Sequence, residues 1–222
     1  MIVVHHLDNS RSHRILWLLE ELGCPYDIVA YKRDPKTMLA PPALTKIHPL
    51  GKSPVITDGD RTIAESGAII EYLVETYGPQ LAPAPGTPAR LRYTYWLHYA
   101  EGSAMPLLLL KLVFQRMPAN VPFFVRPVAR AISKRAQKTF INPQFQRHLA
   151  YWNDELKANA WFAGEEFTAA DIQMSFPIEG AAARFGIGDK YPAVRAFLDR
   201  VRARPAYKRA IERGGPLTLL RE

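Results

Sequence analysis

The spacing of apolar positions predicts a strand, a helix and a second strand at the start of the chain. Residues 2–5 form an apolar, β-branched strand candidate, and residues 26–31 alternate and are rich in strand formers. Between them, four apolar side chains recur at the spacing of one helix face: Ile15, Leu18, Leu19 and Leu22. Gly23 and Pro25 end this helix. A unit of this kind indicates two parallel strands joined by a right-handed crossover.

The next pattern predicts two further strands and a helix. A proline heads an apolar strand at residues 55–57, a turn follows at residues 58–60, and a second strand occupies residues 61–64. A helix is predicted from about residue 67 to residue 77. Residues 32–44 contain three prolines and are predicted to form a loop, with a short helix before His48. The order is therefore βαβ followed by ββα.

Two features of this segment are suited to binding a ligand. Ser66 stands at the start of the predicted helix, where a hydroxyl and unpaired backbone N–H groups suit a carboxylate. Pro54 keeps Ser53 extended, which leaves the backbone N–H and C=O of Ser53 available to a ligand. The segment thus predicts a docking edge for a peptide-like ligand beside a pocket for an anion.

After residue 78 the pattern changes to helices alone. Residues 78–88 carry four prolines and two glycines, which indicates a linker. Thr168 and Asp171 form a capping-box pattern at the start of one later helix. The predicted helices cover residues 88–115, 123–138, 144–159, 169–184, 192–204 and 206–213. Pro143 is one of the residues expected to separate them.

We therefore expect an α/β domain followed by an all-α domain. The first would span residues 1–79, the linker residues 80–87, and the helical domain residues 88–222. A chain of 222 residues with 48% hydrophobic residues is long enough to build two such cores. The single cysteine excludes an internal disulfide framework and fits a reducing compartment. Without a secretory signal or a membrane span, a soluble cytoplasmic protein is expected.

The net charge of +8 is unevenly distributed. No acidic residue occurs between Glu101 and Asp154. The basic residues of this interval are Lys111, Arg116, Arg126, Arg130, Lys134, Arg135, Lys138 and Arg147. They are typical of a solvated helix face or of a surface that attracts an anionic ligand. Binding of a nucleic acid or an anionic membrane is a third possibility, which the absence of a recognisable nucleic-acid motif disfavours.

Four motifs, in order and at compatible spacing, resemble those of the glutathione transferases. Ser10 precedes Arg14 by four residues at the start of the first helix, as the catalytic serine does in serine-type members. Residues 51–55, Gly-Lys-Ser-Pro-Val, look like the loop before the family's cis-proline, and residues 64–69 look like its γ-glutamyl-binding segment. Residues 167–171 resemble the capping box of its helical domain. The resemblance implies a thioredoxin-like domain followed by the helical one.

The resemblance also implies residue roles. Ser53, before the predicted cis-Pro54, would pair through its backbone with the cysteinyl unit of glutathione. Glu65 and Ser66 would hold the γ-glutamyl amine and carboxylate. The remaining candidates for the glycyl carboxylate or neighbouring backbone are His48 and Lys52. Glutathione is then a cosubstrate, and no other cofactor and no metal is expected.

Ser10 is expected to stabilise the glutathione thiolate, with Asn9 as an alternative or additional donor. A thiol with a pKa of about 8.5 is only slightly ionised at neutral pH, and ionising most of it requires a shift of roughly two units, or about 2.7 kcal/mol. One hydrogen bond to a charged group is worth about 1.5–3 kcal/mol, so a hydroxyl at a helix N-terminus suffices. From local sequence alone, a helix cap is the favoured interpretation of Ser10, and its position among the four motifs supports the catalytic one.

The resemblance implies a glutathione transferase whose second substrate is a small hydrophobic electrophile bound by the helical domain, or a peroxide that is reduced with a second glutathione. Tyr95, Tyr99 and Leu107 are the candidate residues for that site. The family is usually homodimeric, so a homodimer is expected, without nucleic acid and without integral membrane association. The alternative is a noncatalytic module of the same fold that binds a ligand or a protein. Cys24 is expected to be packed or half-exposed rather than redox-active, because no C-x-x-C motif is present.

Overall fold

The amino-terminal part of the molecule is built on a four-stranded mixed sheet. The computed structural model describes residues 1–217, so residues 218–222 of the predicted helical domain lie outside the described residues. The sheet order is β2-β1-β3-β4. Its strands are β1 (Ile2–Leu7), β2 (Tyr26–Tyr31), β3 (Val55–Asp58) and β4 (Arg61–Ala64). β1 pairs in parallel with β2, and β3 is antiparallel to both of its neighbours. This arrangement confirms the predicted βαβ–ββα order.

Two helices accompany the sheet, α1 (Ser12–Leu22) and α2 (Ser66–Tyr77). Gly23 ends α1 in the left-handed conformation, with φ of 63°, and its N–H bonds to the carbonyl of Leu19. The first eight residues of α1 are buried. This helix is buried nearly all round because it contacts β1 and α2 as well as the later helices α7 (Ala169–Phe185) and α9 (Pro205–Gly214). It therefore joins the sheet to the helical part of the molecule.

The rest of the described chain is helical, which confirms the predicted fold class. The remaining helices are α3 (Pro88–Tyr99), α4 (Met105–Arg116), α5 (Arg126–Ala136), α6 (Asn142–Ala158) and α8 (Pro192–Ala203). Thr87 caps α3 by accepting a hydrogen bond from the Arg90 N–H at 3.2 Å. The core of this part is aromatic, and its largest fully buried side chains include Trp96, Trp152, Phe145 and Phe162.

One predicted helix break is wrong, and one predicted helix contains an irregular turn. The helix expected at residues 88–115 contains a π-helical segment, Ala100–Ala104, between α3 and α4. The break expected at Pro143 does not occur, since α5 continues through the π-helical segment Gln137–Ile141 directly into α6. Pro143 lies in the first turn of α6, just after that segment, where the wider turn spares it the usual clash with a preceding carbonyl.

Candidate functional site

A pocket beside the amino-terminal end of α1 brings together all six residues predicted to bind glutathione. Its lining consists of Arg11, His48, Leu50, Lys52, Ser53, Pro54, Ala64, Glu65 and Ser66. The predicted residues come from two separate stretches of sequence, and the pairing of β3 with β4 places these stretches side by side. The sequence prediction did not include Arg11, although it neighbours Ser10.

Ser53 is fixed by its side chain, which leaves its backbone at the pocket. The Ser53–Pro54 peptide is cis, as the resemblance implied. The Ser53 hydroxyl donates a hydrogen bond to the His5 carbonyl at 2.9 Å. The pairing of β3 with β1 begins only at Val55, opposite His5, so Ser53 lies outside the ladder. A peptide-like ligand can therefore pair with the backbone of Ser53.

Glu65 and Ser66 lie at the other side of the pocket, where β4 leads into α2. Glu65 has a φ of 70°, a conformation that residues other than glycine rarely adopt and that clusters at ligand-binding sites. Ser66 is 2% exposed, and its hydroxyl accepts a hydrogen bond from Gln173 Nε2 at 3.3 Å. The N-terminus of α2 at this position favours a bound carboxylate.

Gln173 extends the site into the helical part of the molecule. It lies on α7, is fully buried, and lines a second depression together with Glu65 and Glu101. Its Oε1 atom is a buried acceptor without a hydrogen-bond partner among the described residues. Sequence reasoning missed Gln173, because its position depends on how α7 packs against α2.

Ser10 belongs to a buried chain of hydrogen bonds rather than to the pocket wall. Its Oγ lies 2.7 Å from Ser12 Oγ and accepts from the Ser12 N–H at 3.2 Å. Ser12 Oγ lies 2.8 Å from His6 Nδ1, and His6 Nε2 lies 2.9 Å from the Gly214 carbonyl oxygen. Ser10 is 5% exposed and is not among the described residues that line the pocket.

The carbonyl at the end of this chain fixes the direction of every bond in it. Gly214 only accepts, so His6 Nε2 carries a proton. Burial lowers the His6 pKa, although the Gly214 hydrogen bond and Asp8 oppose this effect, so the ring is neutral and Nδ1 accepts from Ser12. Ser12 Oγ also donates to the Leu7 carbonyl oxygen at 3.3 Å, so its single proton is shared between His6 and Leu7. Ser12 therefore accepts from Ser10, and the Ser10 proton is directed at Ser12.

Arg11 supplies a positive charge at the pocket and is held by Glu101. Glu101, in the π-helical segment after α3, accepts hydrogen bonds from both Arg11 and Arg14. Burial alone would raise the pKa of Glu101, but the charges of Arg14 and Arg11 outweigh burial and lower it. Arg14 is 1% exposed and also donates to the Gln173 carbonyl at 2.8 Å. Arg11 is more exposed and faces the ligand pocket.

Asn9 precedes Ser10 with a φ of 48°, another left-handed residue other than glycine. Its backbone carbonyl accepts a hydrogen bond from Arg33 Nη2 at 3.4 Å. Asn9 is not among the described residues that line the pocket. The structure therefore places both predicted thiolate donors next to the site, at the start of α1, and neither in its wall.

An open cleft of about 480 Å³ continues from the pocket. The two share Arg11, Leu50, Lys52 and Ser53. The rest of the cleft wall comes from the end of β1 and from the loop after β2, whose prolines were predicted to keep it irregular. The cleft adjoins the pocket and is large enough for a second small molecule.

The structure does not bring the three predicted electrophile-site residues to this cleft. Tyr99 is 9% exposed, accepts from Trp152 Nε1 at 3.0 Å and bonds to His148. Tyr95 is exposed on α3, and Leu107 is partly buried against the core. None of the three is among the described residues that line the pocket, the cleft or the depression at Gln173.

The structure also bears on the single cysteine, on metal binding and on membrane-spanning helices. Cys24 is a free, half-buried thiol, and burial, with the charge of Asp58, raises its pKa. Within residues 1–217, no three or more His, Cys, Asp or Glu side chains are grouped so that they could hold a metal ion. Over the same residues, none of the helices combines the length and the apolar character that crossing a membrane requires.

Two family models match the chain. One, described as the N-terminal domain of glutathione S-transferase, covers residues 1–75, and the other, its C-terminal domain, covers residues 114–205. Among curated proteins, the chain is 41% identical over 214 residues to "Glutathione S-transferase 3" of Schizosaccharomyces pombe. That alignment covers 96% of this chain and 88% of the yeast protein.

Solved structures agree with these matches. A glutathione S-transferase from Actinobacillus pleuropneumoniae is 35% identical, with a TM-score of 0.81, and the match covers 99% of this chain and 95% of that one. A glutathione transferase family member from Pseudomonas fluorescens Pf-5, solved with two glutathione bound, is 27% identical, with a TM-score of 0.72. The match covers 95% of this chain and 92% of the Pseudomonas protein.

Proposed function

The chain belongs to the glutathione S-transferase family, and from this we propose that it is a glutathione transferase. The observation that supports the proposal most strongly is the convergence of His48, Lys52, Ser53, Glu65 and Ser66 around one pocket at the start of α1. In the proposed complex, Ser53 pairs with the cysteinyl backbone of glutathione. Glu65 and Ser66 hold its γ-glutamyl end, and His48 and Lys52 lie at its glycyl end.

The proposed chemistry begins with ionisation of the glutathione thiol. The Ser10 hydroxyl turns about its Cβ–Oγ bond from Ser12 towards the sulfur, while Ser12 keeps its hydrogen bond to His6. Arg11 adds positive charge, and Asn9 is the alternative donor. The thiol proton passes to solvent. The hydrogen bond from Ser10 and the nearby charge together supply the two or so pKa units that ionisation at neutral pH requires.

The thiolate then attacks an electrophilic carbon, and a carbon–sulfur bond forms. In a substitution the leaving group departs with its electron pair, whereas in an addition the resulting carbanion takes a proton from water. With a peroxide, the thiolate attacks one oxygen and releases an alcohol, and a second glutathione converts the resulting sulfenic acid to the disulfide and water. The family resemblance also supports a homodimer. Leu91 and Tyr95 are exposed on α3 and are proposed to lie at its interface. Light scattering would test the oligomeric state.

The test is the ultraviolet absorbance of the thiolate of bound glutathione as a function of pH. In Ser10→Ala the pKa of the bound thiol is expected to rise by about one to two units, since one hydrogen bond to a charge is lost. Ser103→Ala removes an exposed hydroxyl outside the pocket and should leave the pKa unchanged.

An unchanged thiol pKa in Ser10→Ala would transfer the role to Asn9, tested in Asn9→Ala, or to Arg11. Wild-type protein that binds glutathione but neither ionises it nor consumes electrophiles would support the noncatalytic binding module instead.

A further inference from the structure

The cleft beside the pocket is lined by cations and apolar side chains. Arg33 contributes positive charge to this cleft alone, beside Arg11 and Lys52, which the cleft shares with the glutathione pocket, and no carboxylate is among its described lining residues. Leu39 and Leu50 form part of its apolar wall and are 66% and 62% exposed. Such a surface suits a molecule with an apolar body and a negatively charged group, because a cleft of one charge sign concentrates ligands of the opposite sign.

Arg33 is held in place by the backbone and not by a carboxylate. Its guanidinium donates to the carbonyls of Asp8 at 3.2 Å, Met38 at 3.0 Å and Asn9 at 3.4 Å. The Asp8 carboxylate accepts from the backbone N–H of Arg33 rather than from its side chain. Three of the five N–H groups are thus used and two remain, in the fixed planar arrangement that suits a carboxylate or a phosphate.

Two further arginines outside the cleft wall form a series of positive charges with Arg33, since Arg116 acts on Arg33 and on Arg184. Burial lowers the pKa of Arg33, the charge of Asp8 opposes this effect, and the charges of Arg11 and Arg116 lower it further. Burial and the charge of Arg116 also lower the pKa of Arg184. Within the described residues, Arg33, Arg116 and Arg184 form no salt bridge. The repulsion that Arg116 and Arg11 exert on Arg33 is relieved when an anion binds beside Arg33.

We propose that this cleft is the second-substrate site and that Arg33 recognises a negatively charged group on an otherwise apolar electrophile. The proposal rests on the proposed transferase function and adds the substrate class to it. Leu39 and Leu50 cover the apolar body, while Arg33 pairs with the anionic group of the substrate. Arg116, at the end of α4, adds to the attraction and gives one residue of the basic interval a role in steering.

The experiment compares two electrophiles that share one reactive carbon: a chlorodinitrobenzoate and its neutral methylamide. In both, the thiolate sulfur bonds to the ring carbon and chloride leaves with the electron pair. Each kcat/KM is divided by the rate of the uncatalysed reaction with glutathione. The wild type is expected to favour the anionic electrophile by about tenfold or more, and added salt should reduce this preference.

Single-residue variants test which arginine recognises the anionic group of the electrophile. Arg33→Gln is expected to lower the normalised kcat/KM for the anionic electrophile by about 10- to 100-fold relative to the neutral one, while Arg33→Lys retains most of the preference. Arg116→Gln, which alters an exposed side chain, should weaken the preference by a smaller factor. Arg130→Gln, on the exposed face of α5, is the matched control and should leave the ratio unchanged.

The inference is overturned if the wild type shows no preference for the anionic electrophile. It is also overturned if Arg33→Gln slows both reactions equally while Arg116→Gln leaves the ratio unchanged. If the wild type binds glutathione but consumes neither electrophile, the proposed function fails by itself. The inference is then judged from the affinities of the two preformed glutathione conjugates, and only tighter binding of the anionic conjugate, lost in Arg33→Gln, supports it.

Discussion

Two neighbouring histidine side chains, His6 and His13, lie behind Ser10 and differ in their hydrogen bonding. The rings of His6 and His13 meet edge to face, with centroids 4.9 Å apart. His6 uses both nitrogens in the hydrogen-bond chain to Ser10, whereas neither nitrogen of His13 has a partner among the described residues. Burial, with a contribution from His6, lowers the His13 pKa to about 3. A buried imidazole without partners is stable only when neutral.

The first prediction concerns stability in acid. The pKa of His13 is about 3 in the folded state and about 6.5 in the unfolded chain, so between these values the unfolded chain binds more protons. The free energy of unfolding should therefore fall as the pH is lowered below about 6.5, by up to about 1.4 kcal/mol per pH unit from His13 alone. Urea unfolding of the wild type and of His13→Gln between these pH values measures the difference.

Comparison with matched proteins isolates this effect. His98→Gln removes an exposed histidine and should keep the wild-type slope, whereas His13→Gln should have a shallower slope, set by the other histidines whose pKa burial lowers. Asp171 acts in the opposite direction, since burial raises its pKa to about 6, but it is common to all three proteins. Parallel slopes in the wild type and His13→Gln would contradict the prediction.

The residues that sequence identified and those it missed differ in one physical respect. Ser53 and Ser66 were predicted because a proline follows the first and a helix starts at the second. Both features fix the local backbone and are visible in a short stretch of sequence. Arg11, Arg33 and Gln173 have no such local pattern. Their roles depend on which surface they reach after folding, so their function can be inferred only from three-dimensional contacts.

At the scale of secondary-structure elements, the start of α7 depends on a single carboxylate. Asp171 is fully buried and accepts hydrogen bonds from the N–H of Thr168 at 2.9 Å, the hydroxyl of Thr168 at 3.1 Å and the N–H of Phe162 at 2.9 Å. It thus caps its own helix and also ties down the preceding loop. The capping box was predicted from sequence, but the bond to Phe162 was not, because it spans nine residues.

Asp171→Ala is therefore expected to destabilise the protein by about 2–4 kcal/mol, since it removes a cap and leaves buried donors unsatisfied. Asp199→Ala, which removes an exposed carboxylate on α8, should change the free energy of unfolding by less than about 0.5 kcal/mol. Denaturant unfolding measures both. A loss below about 1 kcal/mol in Asp171→Ala would show that the Phe162 and Thr168 donors find other acceptors.

Helix boundaries were predicted well where a helix ends, whereas turns that only widen within a helix were not predicted. Gly23 and the proline-rich linker end helices outright, and both are visible in the sequence. The π-helical segments Ala100–Ala104 and Gln137–Ile141 keep the helix going while adding one residue to a turn. No single residue type marks such a turn, yet the first of them carries Glu101, the acceptor for Arg11 and Arg14.

For the whole molecule, the site depends on how the helical part packs on α1. The sheet half supplies the edge at which its local motifs predicted a ligand and at which we propose that glutathione binds. The helical half supplies Gln173 and Glu101, which contact Ser66, Arg11 and Arg14 across the junction. Tyr95 and Tyr99 were predicted to line the electrophile site because they lie on one helix of the helical domain. Helix packing, which the sequence pattern leaves undetermined, directs Tyr99 into the aromatic core.

Glu101 is the group on which that junction depends most. Arg14 is 1% exposed, and Glu101 is the only carboxylate paired with it among the described residues. In Glu101→Gln a fully buried guanidinium loses its counter-charge, so the free energy of unfolding should fall by about 3–5 kcal/mol. Glu155→Gln breaks the pair with Arg92, whose side chain is 37% exposed, and should cost no more than about 1 kcal/mol.

Urea unfolding of the two variants, followed separately by far-ultraviolet circular dichroism and tryptophan fluorescence, decides whether Glu101 acts across the junction. Trp17, on α1, and Trp96, in the helical core, are both buried, so fluorescence reports on both sides. If Glu101 couples the two parts, Glu101→Gln should separate the fluorescence transition from the dichroism transition, while Glu155→Gln keeps them coincident. Equal small losses in both variants, with coincident transitions, would instead mean that apolar packing around α1 holds the parts together without the ion pair.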